Sequence, residues 1–345
     1  MEEFDTMPLA ATFAPSGRLS ELGAHVRSGP SSHFPAPAKK FVFRYPLAMP
    51  NIRANGIQIE YDTFGSPSAP PILLIMGLGA QMIAWHEGFC ELLAGHGHHV
   101  IRFDNRDVGL STRFDAAGIP DIVQMRSDAE AGKPIQAPYL LSDMAADAAG
   151  LLDALKIDAA HIVGASLGGM VAQQFVIDHP QRTLTLTSIM STTGNPELPA
   201  PNPEAIARLL TPGPMDREGN IAYRLATAKI IGSLPELIDE AFILANAARA
   251  YDRAFYPAGT VRQMVAVTAS GSRKAALATV KAPTLVIHGE IDPLVPLTGG
   301  IDTHEAIPGS ELLVVPKMGH DQPKSLWPTL TDAIAKNTAK VGVTV

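Results

Sequence analysis

The sequence predicts an α/β fold built on a mainly parallel sheet covered by helices on both faces. Three observations carry this prediction. Short apolar runs of strand length alternate with helical patterns from Ile72 to Ile189, and again from Thr284 to Thr338. A serine framed by glycines, Gly164-Ala165-Ser166-Leu167-Gly168, falls at one strand-to-helix junction. The alternation is broken once, over residues 193–275, where only helical patterns occur.

Residues 1–50 precede the alternating body and are rich in Pro, Ser, Gly and Ala, with a strand-like piece at Lys39–Tyr45. Phe4, Phe13, Phe34, Phe41 and Phe43 give this leader apolar anchors, so it reads as a partly ordered arm. It is a candidate for wrapping the body, covering a pocket or joining the partner in a homodimer. The body opens with Ile52–Ala54 and Ile57–Tyr61 around Asn55-Gly56, the pair favoured in a two-residue hairpin because both tolerate positive φ. Ile72–Met76 reads as a buried central strand, followed by a helix with Phe89, Leu92 and Leu93 on its apolar face and then by the strand Val100–Phe103. Ser142 is the expected N-cap of a helix carrying Met144, Ala148, Leu151, Leu152 and Leu155 inward, with Asp143 and Asp147 near its positive end. The strand His161–Val163, the helix Leu167–Asp178 and the strand Leu184–Ile189 follow.

A Pro-rich stretch, Asn195 to Pro214, opens the interruption. Helical patterns then run over Ile221–Ile231, Pro235–Ala254 and Thr260–Ala269, and residues 193–275 read as an inserted cap. Strands Thr284–His288 and Leu312–Val315 and a helix Leu326–Thr338 close the body, so residues 51–192 and 276–345 form the core.

Composition removes several function classes. Of 345 residues, 46% are hydrophobic and 18% charged, enough apolar material for a large core. The formal charge is −7 and no dense Lys/Arg run occurs, which argues against a nucleic-acid partner. A single cysteine, Cys90, allows no intrachain disulfide. The start, MEEFDTMPLA, lacks the apolar centre of a secretory signal, and stretches such as Pro71–Leu78 are too short for membrane insertion, so a cytoplasmic location is expected.

The chemistry concentrates at Ser166. A serine in a sharp turn between strand and helix has its hydroxyl lifted clear of the sheet, and the flanking glycines let neighbouring backbone come close. A hydroxyl needs a base and the base an orienting acid, expected later in the chain in the order Ser, Asp or Glu, His. His320, in Met318-Gly319-His320-Asp321, lies just past one late strand. Asp292, in Gly289-Glu290-Ile291-Asp292-Pro293, leaves the end of another; Glu290 competes with it, but Asp292 heads the loop with Pro293 fixing the backbone behind it. The backbone N–H of Leu167 and that of Leu78, between Gly77 and Gly79, are candidate oxyanion donors. Gly77 and Gly79 lack the third glycine of a dinucleotide fingerprint. His96, His98 and His99 lack partner carboxylates or cysteines at ligand spacing, so neither a cofactor nor a metal is expected. His161 and His288 read as core residues, Asp321 as a surface or supporting residue, and Cys90 as a small core hydrophobe.

From about residue 50 to 340 the chain resembles the α/β-hydrolase superfamily, and within it the bacterial esterases that include the anthracycline methyl esterases. The resemblance rests on Met76-Gly77-Leu78-Gly79, on the run from Val100 to Ser111, on the elbow at Ser166 and on the loops of Asp292 and His320. It implies an eight-stranded, mostly parallel sheet with a helical cap after the sixth strand. It also implies Ser166 as nucleophile, His320 as base, Asp292 as acid, Leu78 and Leu167 as oxyanion donors, and no cofactor. Asp104 and Arg106 are implied loop braces. Many members carry histidine where this chain has Met76, which changes the support of the oxyanion loop. The expected activity is hydrolysis of a small to medium, largely apolar ester. Carbon–carbon bond hydrolysis and perhydrolase chemistry use the same triad, and a non-catalytic binding module is the reading from another class. Met82, Trp85, Tyr223, Phe255 and Tyr256 are the expected pocket residues, with Phe242 and Tyr251 as further cap aromatics.

Overall fold

A computed structural model describes residues 50–341. Among them eight strands form a sheet: β1 (Asn51–Ala54), β2 (Ile57–Phe64), β3 (Pro71–Ile75), β4 (His99–Phe103), β5 (Ala160–Ala165), β6 (Thr183–Ile189), β7 (Thr284–Gly289) and β8 (Glu311–Val315). Their order is β1-β2-β4-β3-β5-β6-β7-β8. β2 runs antiparallel to β1 and β4, and the remaining pairs are parallel. Asn55 and Gly56 join β1 to β2 with φ of 47° and 79°, the double positive φ of a tight hairpin turn.

Four helices precede the insertion: α1 (Glu87–Gly95), α2 (Ile122–Glu130), α3 (Leu141–Ala154) and α4 (Leu167–Asp178). Five fill the segment between β6 and β7: α5 (Pro203–Leu210), α6 (Arg217–Ile231), α7 (Glu240–Arg253), α8 (Pro257–Ser270) and α9 (Lys274–Leu277). α10 (Leu297–Ala306) and α11 (Trp327–Thr338) complete the chain. Strand periodicity explains the layering. On β3, Ile72 and Leu74 join a core with Phe89 and Leu93 of α1 and Leu330 and Ile334 of α11. Leu73 and Ile75, alternating with them, join the opposite core with Leu151 and Leu152 of α3 and Val171 and Phe175 of α4.

Several elements depart from the sequence reading. The N-cap of α3 is Leu140, not Ser142, because Asp143 reaches back to accept the Leu140 N–H at 2.7 Å. Asp147 is not a helix-end charge; it is buried and ion-paired with Arg106. The pattern from Pro235 to Ala254 is not one helix. Pro235–Leu237 make a 3₁₀ turn, Ile238 is extended, and Asp239 starts α7 afresh by accepting the Phe242 N–H at 3.0 Å. The Pro-rich stretch holds α5, started by Asn202, whose side chain accepts the Glu204 N–H at 2.8 Å, with Pro203 in the first turn. Leu92 is exposed on α1 instead of facing the core. Residues 1–49, including the strand-like Lys39–Tyr45 and the proposed dimer arm, lie outside the described residues. No helix among the described residues is long and apolar enough to cross a membrane.

Candidate active site

Ser166 sits between β5 and α4 with φ 57° and ψ −122°, a conformation that β-carbon-bearing residues seldom hold. The turn is locked from both sides. The Ser166 N–H donates to Ile189 O at the end of β6 (2.9 Å), and the Ser191 hydroxyl donates to Ser166 O (2.8 Å). The glycines on either side are required by close approach. A β-carbon on Gly164 would lie 2.0 Å from Gly168 O, and one on Gly168 would lie 2.1 Å from Ile75 O. The elbow therefore packs backbone on backbone at the centre of the sheet.

His320 and Asp292 arrive from the loops after β8 and β7. His320 Nε2 is 2.9 Å from Ser166 Oγ, and His320 Nδ1 is 2.7 Å from Asp292 Oδ2. The other Asp292 oxygen accepts the backbone N–H groups of Leu294 (2.9 Å) and Val295 (2.8 Å), so the loop turn that Pro293 enforces fixes the carboxylate. Both side chains are almost fully buried. Glu290 points elsewhere, accepting the Lys317 N–H at 3.3 Å. A second histidine, His288, is fully buried beside the acid, with Nε2 at 2.8 Å from Val295 O and 3.7 Å from Asp292 Oδ2; burial lowers its pKa.

Leu167 directly follows Ser166, and Leu78 lies in the loop after β3. Leu167 opens α4, in the first turn where N–H groups have no intrahelical acceptor. In the loop after β3 the Ala80 N–H donates to Gly77 O and the Gly79 N–H to Gln263 Oε1 (2.9 Å), with Leu78 N–H between them. A β-carbon on Gly77 would sit 3.6 Å from Ser166 Oγ, so this loop touches the serine.

None of the five expected pocket residues is among those lining the cavity near the site. Met82 and Trp85 are fully buried in the core, where the Met82 N–H donates to Asp104 (2.7 Å) and the Trp85 ring lies tilted against Phe89 at 5.3 Å. Tyr223 braces the cap, its single hydroxyl proton shared between Arg208 O and Thr211 O, with the Arg208 guanidinium over its ring. Tyr256 bonds Asp115 and Arg262, and Phe255 stacks on Tyr251 at 4.6 Å. The aromatics that do line a cavity near the site are Phe89, Phe242 and Trp327.

What the sequence reading missed is the attachment of the cap. Arg249 and Arg253 of α7 pair with Glu87 (2.5 Å) and Asp104 (2.8 Å), and Arg262 of α8 pairs with Asp107 through two bonds of 2.8 Å. Gln263 ties Gly79 to Arg106 O. On the other flank the His320 N–H donates to Ile231 O (2.7 Å), the Gly319 N–H to Ser233 Oγ (3.1 Å), and Ser233 in turn bonds Asp321. Asp321 is thus a half-buried clasp whose carboxyl pKa is raised by burial. The spacing of Arg249 and Arg253 by four was the available signal, since it places both on one helix face. Arg106 braces α3 through Asp147, as Asp104 braces the Met82 and Leu110 N–H groups. His96 contacts Asp332 (3.1 Å) and His98 bonds Pro70 O and Thr338, so these histidines serve packing. Cys90 is buried, and burial pushes its thiol up to about 12.

Residues 70–323 match the family model of the α/β-hydrolase fold. Rhodomycin D methylesterase DauP of Streptomyces sp. strain C5 is 29% identical over 313 residues, covering 83% of this chain and 97% of that protein. A 2-hydroxy-6-oxononadienedioate/2-hydroxy-6-oxononatrienedioate hydrolase of Cupriavidus pinatubonensis is 30% identical over 175 residues, covering 50% of this chain and 59% of that protein. Among solved structures, the meta-cleavage product hydrolase CumD of Pseudomonas fluorescens IP01 superposes with a TM-score of 0.67 at 19% identity, covering 84% of this chain and 97% of that one. With the elbow, the sheet order and the matched span in agreement, the chain belongs to the α/β-hydrolase fold family.

Proposed function

We propose that the protein is a carboxylic ester hydrolase working through a serine acyl-enzyme. The observation that carries this reading is the unbroken chain of hydrogen bonds from Ser166 Oγ through His320 to Asp292, at 2.9 and 2.7 Å. His320 Nε2 takes the Ser166 proton as Oγ forms a bond to the ester carbonyl carbon. Negative charge moves to the carbonyl oxygen, where the Leu78 and Leu167 N–H groups receive it. The bond to the alkoxy oxygen then breaks, and His320 returns the proton to the departing alcohol. Water repeats the sequence on the acyl-serine, giving the acid and free Ser166. Asp292 holds Nδ1 protonated, so that Nε2 faces the serine as a base. Similarity to the methylesterase over most of both chains favours an ester.

Carbon–carbon hydrolysis is the second reading, favoured by the relative that is 30% identical over 175 residues. Hydrolysis of p-nitrophenyl esters with acyl chains of two to twelve carbons, by wild type and Ser166→Ala, tests the first. Activity peaking at one chain length and falling by about 10⁴-fold or more in the variant is expected. Equal inactivity on esters, with turnover of a vinylogous diketone, would favour the second.

A further inference from the structure

Cap helix α6 carries three cations, Arg217, Arg224 and Lys229. Arg217 and Lys229 pair with Asp252 (2.7 Å) and Glu240 (2.6 Å) of α7, whereas Arg224 has no hydrogen bond or ion pair among the described residues. Its position on the helix is an inward one. Glu218, Ala222 and Ala226 are exposed and mark the outer face of α6. Tyr223 and Thr227 turn to Arg208 of α5, and Lys229 turns to α7. Arg224 lies opposite the outer face, in the row that continues through Ala228 to Ile231. At the end of that row the Ile231 carbonyl accepts the His320 N–H at 2.7 Å. Arg224 thus stands two helical turns, about 10 Å, along the helix from the contact with His320.

Its neighbours on the inner face, Asn220, Ala228 and Ile231, are buried or half-buried, but Arg224 is exposed. The surrounding protein still lowers its pKa by desolvation, and no carboxylate offsets this. A side chain open to solvent in desolvating surroundings lies in a wet recess under the cap. The carboxylates at the His320 end of the row are already engaged, Asp321 by Ser233 and Asp292 by His320 and two loop N–H groups.

From this geometry we infer that Arg224 receives an anion of the substrate, so that the ester taken by this site carries a carboxylate at the far end of its acyl arm. This deepens the ester-hydrolase reading and rests on it. A guanidinium in partly desolvating surroundings gains from an anion, and its planar fork fits both oxygens of a carboxylate. Ala228 and Ile231 offer apolar surface between the two ends, which suits a hydrocarbon spacer. The acyl arm is the one retained through both chemical steps, so an anchor there positions both.

Binding is read by calorimetry on Ser166→Ala, where turnover does not interfere. Monomethyl esters of linear dicarboxylic acids of five to ten carbons are compared with their dimethyl esters, which lack the remote charge. At one chain length the half-ester should bind at least about tenfold more tightly than the diester. Adding Arg224→Gln should remove that preference while diester binding stays within about twofold, and Arg224→Lys should retain part of it. No preference at any length, an equal loss for both ligands in Arg224→Gln, or a preference that survives Arg224→Gln would each overturn the assignment. If the wild type hydrolyses none of these esters while half-ester binding to Ser166→Ala still depends on Arg224, the ester-hydrolase reading fails and the anion site stands.

Discussion

The carboxyl edge of the sheet, where Ser166 follows the interior strand β5, and the cap above it are assembled differently. At the edge, backbone packs on backbone: Gly164 against Gly168, Gly168 against Ile75, and Ser166 N–H on Ile189 O. The cap adds long charged side chains to its backbone contacts: a β-carbon on Gly259 would lie 1.9 Å from Asp107 O and the His320 N–H donates to Ile231 O, while Arg249 reaches Glu87, Arg253 Asp104 and Arg262 Asp107, and Gln263 and Ser233 reach the two loops that flank the serine. Close backbone packing fixes atoms within a few tenths of an ångström and suits groups that react. In the proposed function, the chemistry falls to the sheet and substrate selection to the cap.

Removing one cap arginine should strain that division most. Arg262 and Asp107 are both fully buried, so Arg262→Met strands a carboxylate and should cost about 3–5 kcal/mol of unfolding free energy. The double variant Arg262→Met/Asp107→Asn should recover a large part of this loss in urea denaturation. If the single change costs under about 1 kcal/mol, the cap is held by something else.

Acid should attack the two regions at different pH. On β5, burial lowers His161 to about 4, with His98 5.6 Å away lowered for the same reason. A histidine whose folded pKa is depressed gives stability that is complete above the unfolded value, near 6.5, and lost as pH falls toward the folded one. Glu87 is different: burial pushes its carboxyl up, but hydrogen bonds from Arg249 and Arg102 prevail and hold it at about 2. Its contribution is lost only below the unfolded value near 4.5. Between pH 6.5 and 4.5, stability should therefore fall through the sheet, and His161→Gln should flatten the slope while Glu87→Gln should not. The reverse pattern in pH-dependent urea midpoints would contradict the assignment.

A smaller effect is expected at the joint between the regions. Gln263→Leu removes the acceptor of the Gly79 N–H and loosens the oxyanion loop, so kcat on a short ester should drop about tenfold with KM little changed. A change confined to KM would make Gln263 a substrate contact instead.

The same contrast explains what could be read from the sequence. The elbow, the strands and the order Ser166, Asp292, His320 announce themselves because each is a local pattern: a glycine spacing, an apolar run, a loop just past a strand. Met82 and Trp85 misled because sequence proximity to the oxyanion loop does not tell which way the chain turns, and it turns into the core. The bracing bonds of Tyr223 and Tyr256 could not be foreseen, because a cap aromatic offers the same signal for either role. Gln263 and Ser233 carry no local signal at all. Their partners lie far along the chain, and only the fold brings Gln263 to Gly79 or Ser233 to Asp321.

The most direct test of the account is the intact mass of the protein after exposure to a small organophosphonate. One covalent adduct on wild type, mapped to Ser166 and absent from Ser166→Ala, is the expected result. An unmodified wild type, or an adduct that persists in Ser166→Ala, would contradict the claim that the sheet edge holds an activated serine.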